Sequence, residues 1–302
     1  MVHKPFKPSQ IALIAVSAVA VIIVGIVIAL LLTGQQQSPT NQPEQPATSE
    51  PTEPSSAKQP IDLQFAVDQW TSIISGTAGV MIYDLDNKIV VARHNENESF
   101  NIASLYKLFV MLEGYLRIAR GQWSSDEPYL GNWTRLKCLN LMISESNSPC
   151  AEKMWGEIGK AELDEIYRAK GFGTATNISS ITSTPAEILK LMQLIWQHAG
   201  LNEEYWSAIR DSLLIQPTTT HNWRQGLPSG FSNAKVYNKV GWYSADGRKW
   251  SLYHDAAFVE FPDLDRHYIV VVLTKNVSPN EIVRLGRNIE AAVLVGSGAQ
   301  ER

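Results

Sequence analysis

Histidine and cysteine are scarce, with six and two respectively in 302 residues, and the histidines are scattered without the spacing of a metal-binding set. Neither a metal centre nor any other cofactor is therefore expected. Lys and Arg form no run, and the net charge is −4. Nucleic-acid-binding domains usually carry a basic face, so no nucleic-acid partner is expected. No Gly-x-Ser-x-Gly elbow is present. That weakens a Ser-His-Asp arrangement built from His221 or His254 with Asp255, and His254-Asp255 reads instead as part of a strand. No internal repeat is seen. Hydrophobic residues make up 44% of the chain and charged residues 19%, which is a globular composition.

Charge is wholly missing from one segment. Residues 11–32, from Ile11 to Leu32, contain Ser17 as their one polar side chain. About 20 apolar residues suffice to cross a bilayer as a helix. His3, Lys4 and Lys7 precede the run, and no Lys or Arg follows before Lys58. The positive-inside rule then puts residues 1–10 in the cytoplasm and everything after the span outside. The run exceeds the roughly 7–15 residues of a signal-peptide core and no A-x-A site follows it, so an uncleaved single-pass cell-membrane anchor is expected. Residues 33–60 are rich in Gln, Pro, Ser and Thr and lack aromatic and branched aliphatic residues. Such a segment buries too little apolar surface to offset the entropy of ordering and reads as a disordered linker. Residues 61–296 form the remaining domain and 297–302 a short tail.

Within the domain, residues 64–74 show helical periodicity. Residues 79–83 and 89–92 read as a hairpin. Residues 104–119 read as a helix so apolar that it should be buried, and further helices follow to about residue 211. Thr184, Pro185 and Glu187 read as a capping box opening a helix to about residue 198. Residues 235–243, 251–261 and 267–274 read as three strands, and residues 279–294 as a closing helix. This order predicts an α+β fold of the three-layer α/β/α type. An antiparallel sheet is assembled from both ends of the domain, with an all-helical sub-domain inserted between them.

Cys138 and Cys150 both lie in the part expected outside the membrane, where a disulfide can form. Two buried thiols are the alternative.

The chemistry begins at Ser104-Leu105-Tyr106-Lys107. Residues three apart on a helix are neighbours, so Lys107 is expected to reach the Ser104 hydroxyl. A neutral amine there could take the hydroxyl proton, since burial lowers a Lys pKa. Lys107 lies on an otherwise apolar helix, and a buried charge needs a partner or a purpose.

The segment from Phe100 to Lys107 resembles the nucleophile motif of class A β-lactamases and penicillin-binding DD-peptidases. Met142-Ile143-Ser144-Glu145-Ser146-Asn147-Ser148 resembles the family's Ser-x-Asn segment. Ser183-Thr184-Pro185-Ala186-Glu187 resembles its Thr-Thr-Pro helix start, and Asn238-Lys239-Val240-Gly241-Trp242 its Lys-Thr-Gly strand. The motifs occur in family order over about residues 61–295. The resemblance implies a serine hydrolase in which Ser104 forms an acyl-enzyme with a β-lactam or a D-Ala-D-Ala cell-wall peptide. Lys107 would deprotonate Ser104, Ser146 would relay a proton to the leaving nitrogen, and Lys239 would hold that relay electrostatically. Ser148, Gly241 and Trp242 would contact substrate, with the amides of Ser104 and Trp242 forming an oxyanion hole.

Three positions depart from the pattern. Ser148 stands where the family has Asn, and Val240 where it has Thr. Residues 172–183 contain no Asp or Glu, although class A β-lactamases carry there the Glu that activates the deacylating water. Glu162, Asp164 and Glu165 lie upstream in what reads as a solvated helix face. An alternative register would use Ser144 as the relay. The sequence therefore supports acylation at Ser104 better than fast release. The competing function is a non-catalytic peptidoglycan-binding module on the same fold.

Overall fold

The computed structural model describes residues 58–198, 200–214, 224–245 and 251–299. Residues 1–10, the apolar run 11–32, nearly all of the 33–60 linker, His221 and the last three residues of the tail lie outside these. Among the described residues no helix is long and apolar enough to cross a membrane.

The sheet comprises β1 (Thr77–Asp84), β2 (Ile89–His94), β7 (Lys235–Tyr243), β8 (Leu252–Phe261) and β9 (Arg266–Lys275) in the order β2-β1-β9-β8-β7. Every neighbouring pair is antiparallel. Strands from both ends of the domain thus share one sheet. β9 lies at its centre and is buried on both faces, which explains its unbroken apolar run. Tyr268, Val270 and Val272 enter one core, and Ile269, Val271 and Leu273 the other.

The first core holds α1 (Gln64–Thr71) and α8 (Pro279–Gly296) against one face of the sheet. Helix α1 stops at Thr71, three residues short of the apolar pattern, and Ile73 beyond it is 53% exposed. The second core, on the other face, is built around α2 (Tyr106–Ala119). Twelve of its fourteen residues are buried, and each buried Leu or Phe contributes about 1.5–3 kcal/mol. Around it lie α3 (Arg135–Ser144), α4 (Ser148–Ile158), α5 (Lys160–Ala169), α6 (Pro185–Trp196) and α7 (Glu203–Leu214). Short strands β3 (Phe100–Asn101) and β6 (Thr182–Ser183) pair with one another, as do β4 (Pro128–Leu130) and β5 (Trp133–Thr134). Cys138 on α3 and Cys150 on α4 form a disulfide, and both are fully buried.

Two local expectations need correction. The Thr184 side chain does accept a hydrogen bond from the Glu187 amide. The Glu187 carboxylate, however, does not return to the cap; it accepts from the Gly173 amide at 3.1 Å and from Lys190 at 3.1 Å. Nor is Asp164 part of a solvated face. It accepts from the amides of Ile178 and Ser179 and from the Ser179 hydroxyl. Glu162, its neighbour on α5, pairs with Arg117. The 172–183 loop is thus held by carboxylates from outside it, which satisfy amides that secondary structure leaves unpaired.

Candidate active site

The chain approaches α2 through a single 3-10 turn, Ala103–Leu105. Ser104 therefore lies just before the helix rather than on it. Ala103 has φ +43°, a conformation rare outside glycine. It is held there because its amide donates to Asn101 Oδ1 at 2.9 Å. The Ile102 amide donates to the carbonyl of Ile181, itself at φ +56°. Strained backbone of this kind persists only where its surroundings over-determine it. Here β3–β6 pairing supplies one side of the frame and the sheet supplies the other.

The sheet's contribution is His254. Its Nε2 donates to the Asn101 carbonyl at 2.7 Å, and its Nδ1 accepts from the Thr274 amide at 2.9 Å. Both ring nitrogens are occupied by backbone, which fixes a neutral tautomer, and burial lowers the His254 pKa to about 4. His254 is thus a strut between β8 and the Ser104 turn. Asp255, the next residue, faces the other side of the sheet. It accepts from Asn238 Nδ2 at 2.8 Å and from the Leu227 amide at 2.9 Å. His254 and Asp255 therefore form no pair directed at Ser104.

β7 is the edge strand, and alternation places Tyr237, Lys239 and Gly241 on its helical face. Gly241 meets the Ser104 turn so closely that a Cβ added there would lie 2.5 Å from the Ile102 carbonyl oxygen and 3.2 Å from the Leu105 amide nitrogen. Trp242 follows and is half-buried, its ring packed against the core on the opposite face of the sheet.

Lys107, one turn into the helical segment, is 1% exposed. Its Nζ donates to the Ser146 carbonyl at 2.6 Å, to Ser146 Oγ at 3.2 Å and to Ser148 Oγ at 3.0 Å. Among the described residues it makes no hydrogen bond to Ser104 Oγ, contrary to the helical-neighbour expectation. The 3-10 turn sets Ser104 off the helix, and three oxygens on the α3–α4 connection match the three donors of an ammonium. Ser146 has φ +54°, which turns both its carbonyl and its hydroxyl inward. Lys239, also 1% exposed, reaches the same Ser146 Oγ at 2.9 Å and its own neighbour's carbonyl, Val240, at 2.8 Å. Ser144 instead bonds back to the Asn140 carbonyl on α3 at 3.0 Å. The structure thus selects Ser146 over Ser144 as the hydroxyl between the two lysines.

Burial dominates the electrostatics. It lowers the Lys107 pKa to about 8, against a smaller upward pull from Glu152. Lys239 is driven well below the ordinary lysine value, first by burial and then by the charge of Lys107, while Asp255 behind the strand opposes this. Burial also raises the Asp255 carboxyl to about 7. The site therefore combines a half-exposed serine, an amine whose pKa burial lowers to about 8 and a hydroxyl bridging two amines. That combination can deprotonate an alcohol and return a proton to a leaving group. Sequence reasoning missed Asn101, His254 and Asp164 as parts of the frame. Strand alternation could have placed His254 on the site face, but no pattern in the chain points to its backbone partners.

Solved structures with this architecture include beta-lactamases, among them class A enzymes, and PBP-A. A beta-lactamase from Chitinophaga pinensis is 18% identical, with a TM-score of 0.64 over 78% of this chain and 98% of its own. An ancestral class A beta-lactamase (GNCA) is 17% identical, with a TM-score of 0.67 over 76% and 99%. PBP-A is 19% identical, with a TM-score of 0.64 over 77% and 96%. The fold is therefore the α+β fold of class A beta-lactamases, with the sheet drawn from both ends of the domain. The chain belongs to the beta-lactamase enzyme family, whose sequence model matches residues 66–294, a family of serine hydrolases. No curated protein matches the chain.

Proposed function

We propose that this protein is a serine acyl-hydrolase that forms an acyl-enzyme through Ser104 with D-Ala-D-Ala cell-wall peptides or β-lactams. The observation that carries the reading is the convergence of Lys107 and Lys239 on one hydroxyl, Ser146, beside the Ser104 turn. Ser104 Oγ attacks the carbonyl carbon, its proton passes to the neutral Lys107 amine, and the carbonyl electrons move to oxygen. The amides of Ser104 and Trp242 receive that oxyanion, stabilisation usually worth several kcal/mol. Collapse breaks the C–N bond. The leaving nitrogen takes the Ser146 hydroxyl proton, which Lys107 replaces. Lys239 favours the substrate carboxylate, and Ser148 supplies a hydroxyl where an amide would otherwise contact substrate.

The acid-free loop 172–183 supports acylation over fast hydrolysis of a β-lactam, so the adduct should be long-lived. The same reading places the domain outside the cell membrane, tethered through the charge-free run 11–32 and the linker. A disulfide within the domain suits that compartment. The test is intact-protein mass spectrometry of the full-length chain with penicillin over time. The expected result is a mass increment on wild type that is absent from Ser104→Ala. Wild type that acquires no adduct under conditions that label a known relative would overturn the proposal and favour a non-catalytic binding module. A label that survives Ser104→Ala would move the nucleophile elsewhere.

A further inference from the structure

Two carboxylates that border the 172–183 loop are already engaged in holding it. Asp164 holds Ile178 and Ser179, and Glu187 holds Gly173 and Lys190. Another carboxylate lies beside the reactive lysine, on a different element.

Helix α4 docks along the start of α2 at two points. Ser148 Oγ accepts from Lys107 Nζ at 3.0 Å. About two turns further on, the Trp155 ring packs on the Tyr106 ring with centroids 4.7 Å apart. Residues 148, 152 and 155 are spaced i, i+4 and i+7, so they share one helix face. Glu152 therefore lies between the two contacts, facing the Tyr106–Lys107 pair. It is exposed to water and makes no hydrogen bond or ion pair among the described residues. Its charge acts on both residues of that pair: it adds to the rise of Tyr106 to about 12 and opposes the lowering of Lys107, burial being the larger cause in each case.

We infer that Glu152 is the carboxylate that activates water to release the acyl group from Ser104. This rests on the acyl-enzyme reading above. Water oxygen attacks the acyl carbon while its proton passes to Glu152. The tetrahedral intermediate then collapses with cleavage of the C–Oγ bond, and the proton returns to Ser104 Oγ. The residual hydrolysis of a long-lived adduct thus proceeds through α4 rather than through the loop before Thr184.

The experiment follows the decay of the penicillin adduct on full-length wild type, Glu152→Gln and Glu152→Asp after excess drug is removed, by intact mass. Glu152→Gln should still form the adduct but release it about 100-fold more slowly, the low end for a positioned general base. Glu152→Asp should fall between Glu152→Gln and wild type. Equal adduct lifetimes in wild type and Glu152→Gln would overturn this inference while leaving the acyl-enzyme reading intact. So would a wild-type adduct that yields no hydrolysed product. A Glu152→Gln variant that forms no adduct would assign Glu152 to holding Lys107 and overturn its role in release. Absence of any wild-type adduct would overturn both proposals.

Discussion

Replacing Gly241 with alanine puts a carbon 2.5 Å from the carbonyl oxygen of Ile102, 3.1 Å from Leu105 Cγ and 3.2 Å from the Leu105 amide nitrogen. Ordinary contact begins at 3.4 Å, so β7 and the Ser104 turn must separate by about 0.9 Å at that point. Neither side yields readily. The turn is fixed by Asn101, by His254 and by the β3–β6 pair, and β7 is zipped to β8 over its whole length. The displaced atoms include the backbone next to both amides proposed for the oxyanion hole. A misplacement of about 1 Å in a catalytic array can cost about 100-fold in rate, equivalent to about 2.7 kcal/mol of barrier. Gly241→Ala should therefore lower the acylation rate about 100-fold, measured by stopped flow with a fluorescent penicillin. Overpacking should also destabilise the fold by about 1–3 kcal/mol, so rates are to be compared at a temperature where circular dichroism shows the variant folded. Gly156→Ala is the control, because an added Cβ there meets open space, and in a helix interior it should be neutral or mildly stabilising. A Gly241→Ala variant that acylates within about threefold of wild type would refute the argument that close approach of β7 sets the oxyanion geometry.

Two further outcomes follow from the same site. Lys107 is lowered to about 8 by burial, and its neutral form is the proposed base, so the acylation rate should rise with pH below about 8 and level above it; a rate still climbing near pH 10 would mean the amine titrates as an ordinary lysine or is not the base. The Cys138–Cys150 bridge closes a short loop that contains Ser146, so Cys138→Ala combined with Cys150→Ala should lose about 3 kcal/mol of unfolding free energy and acylate more slowly. Urea denaturation of the two forms checks the first effect, and a loss under about 1 kcal/mol would show that the bridge constrains little.

Local chemistry carried a large part of this protein into its sequence. The run from Tyr268 to Leu273 reads as a strand and the apolar density of residues 104–119 as a buried helix, and both are found, the helix beginning after a 3-10 turn. The order of helix, hairpin, helical insertion, three strands and helix fixed which chain ends share the sheet. Ser104, Lys107, Ser146 and Lys239 were legible because their motifs fall in sequence order. Contacts between distant segments were not legible, because periodicity reports which face a residue takes and not what it meets there. Only the tertiary structure turned Lys107 toward Ser146 rather than Ser104, since that depends on a 3-10 turn held by His254 from 153 residues away. Only packing chose Ser146 over Ser144, gave Asp164 to the loop amides and left Glu152 facing the lysine. Sequence thus determined the elements and the reactive groups, whereas the long-range hydrogen bonds of the folded chain decided which groups share a proton.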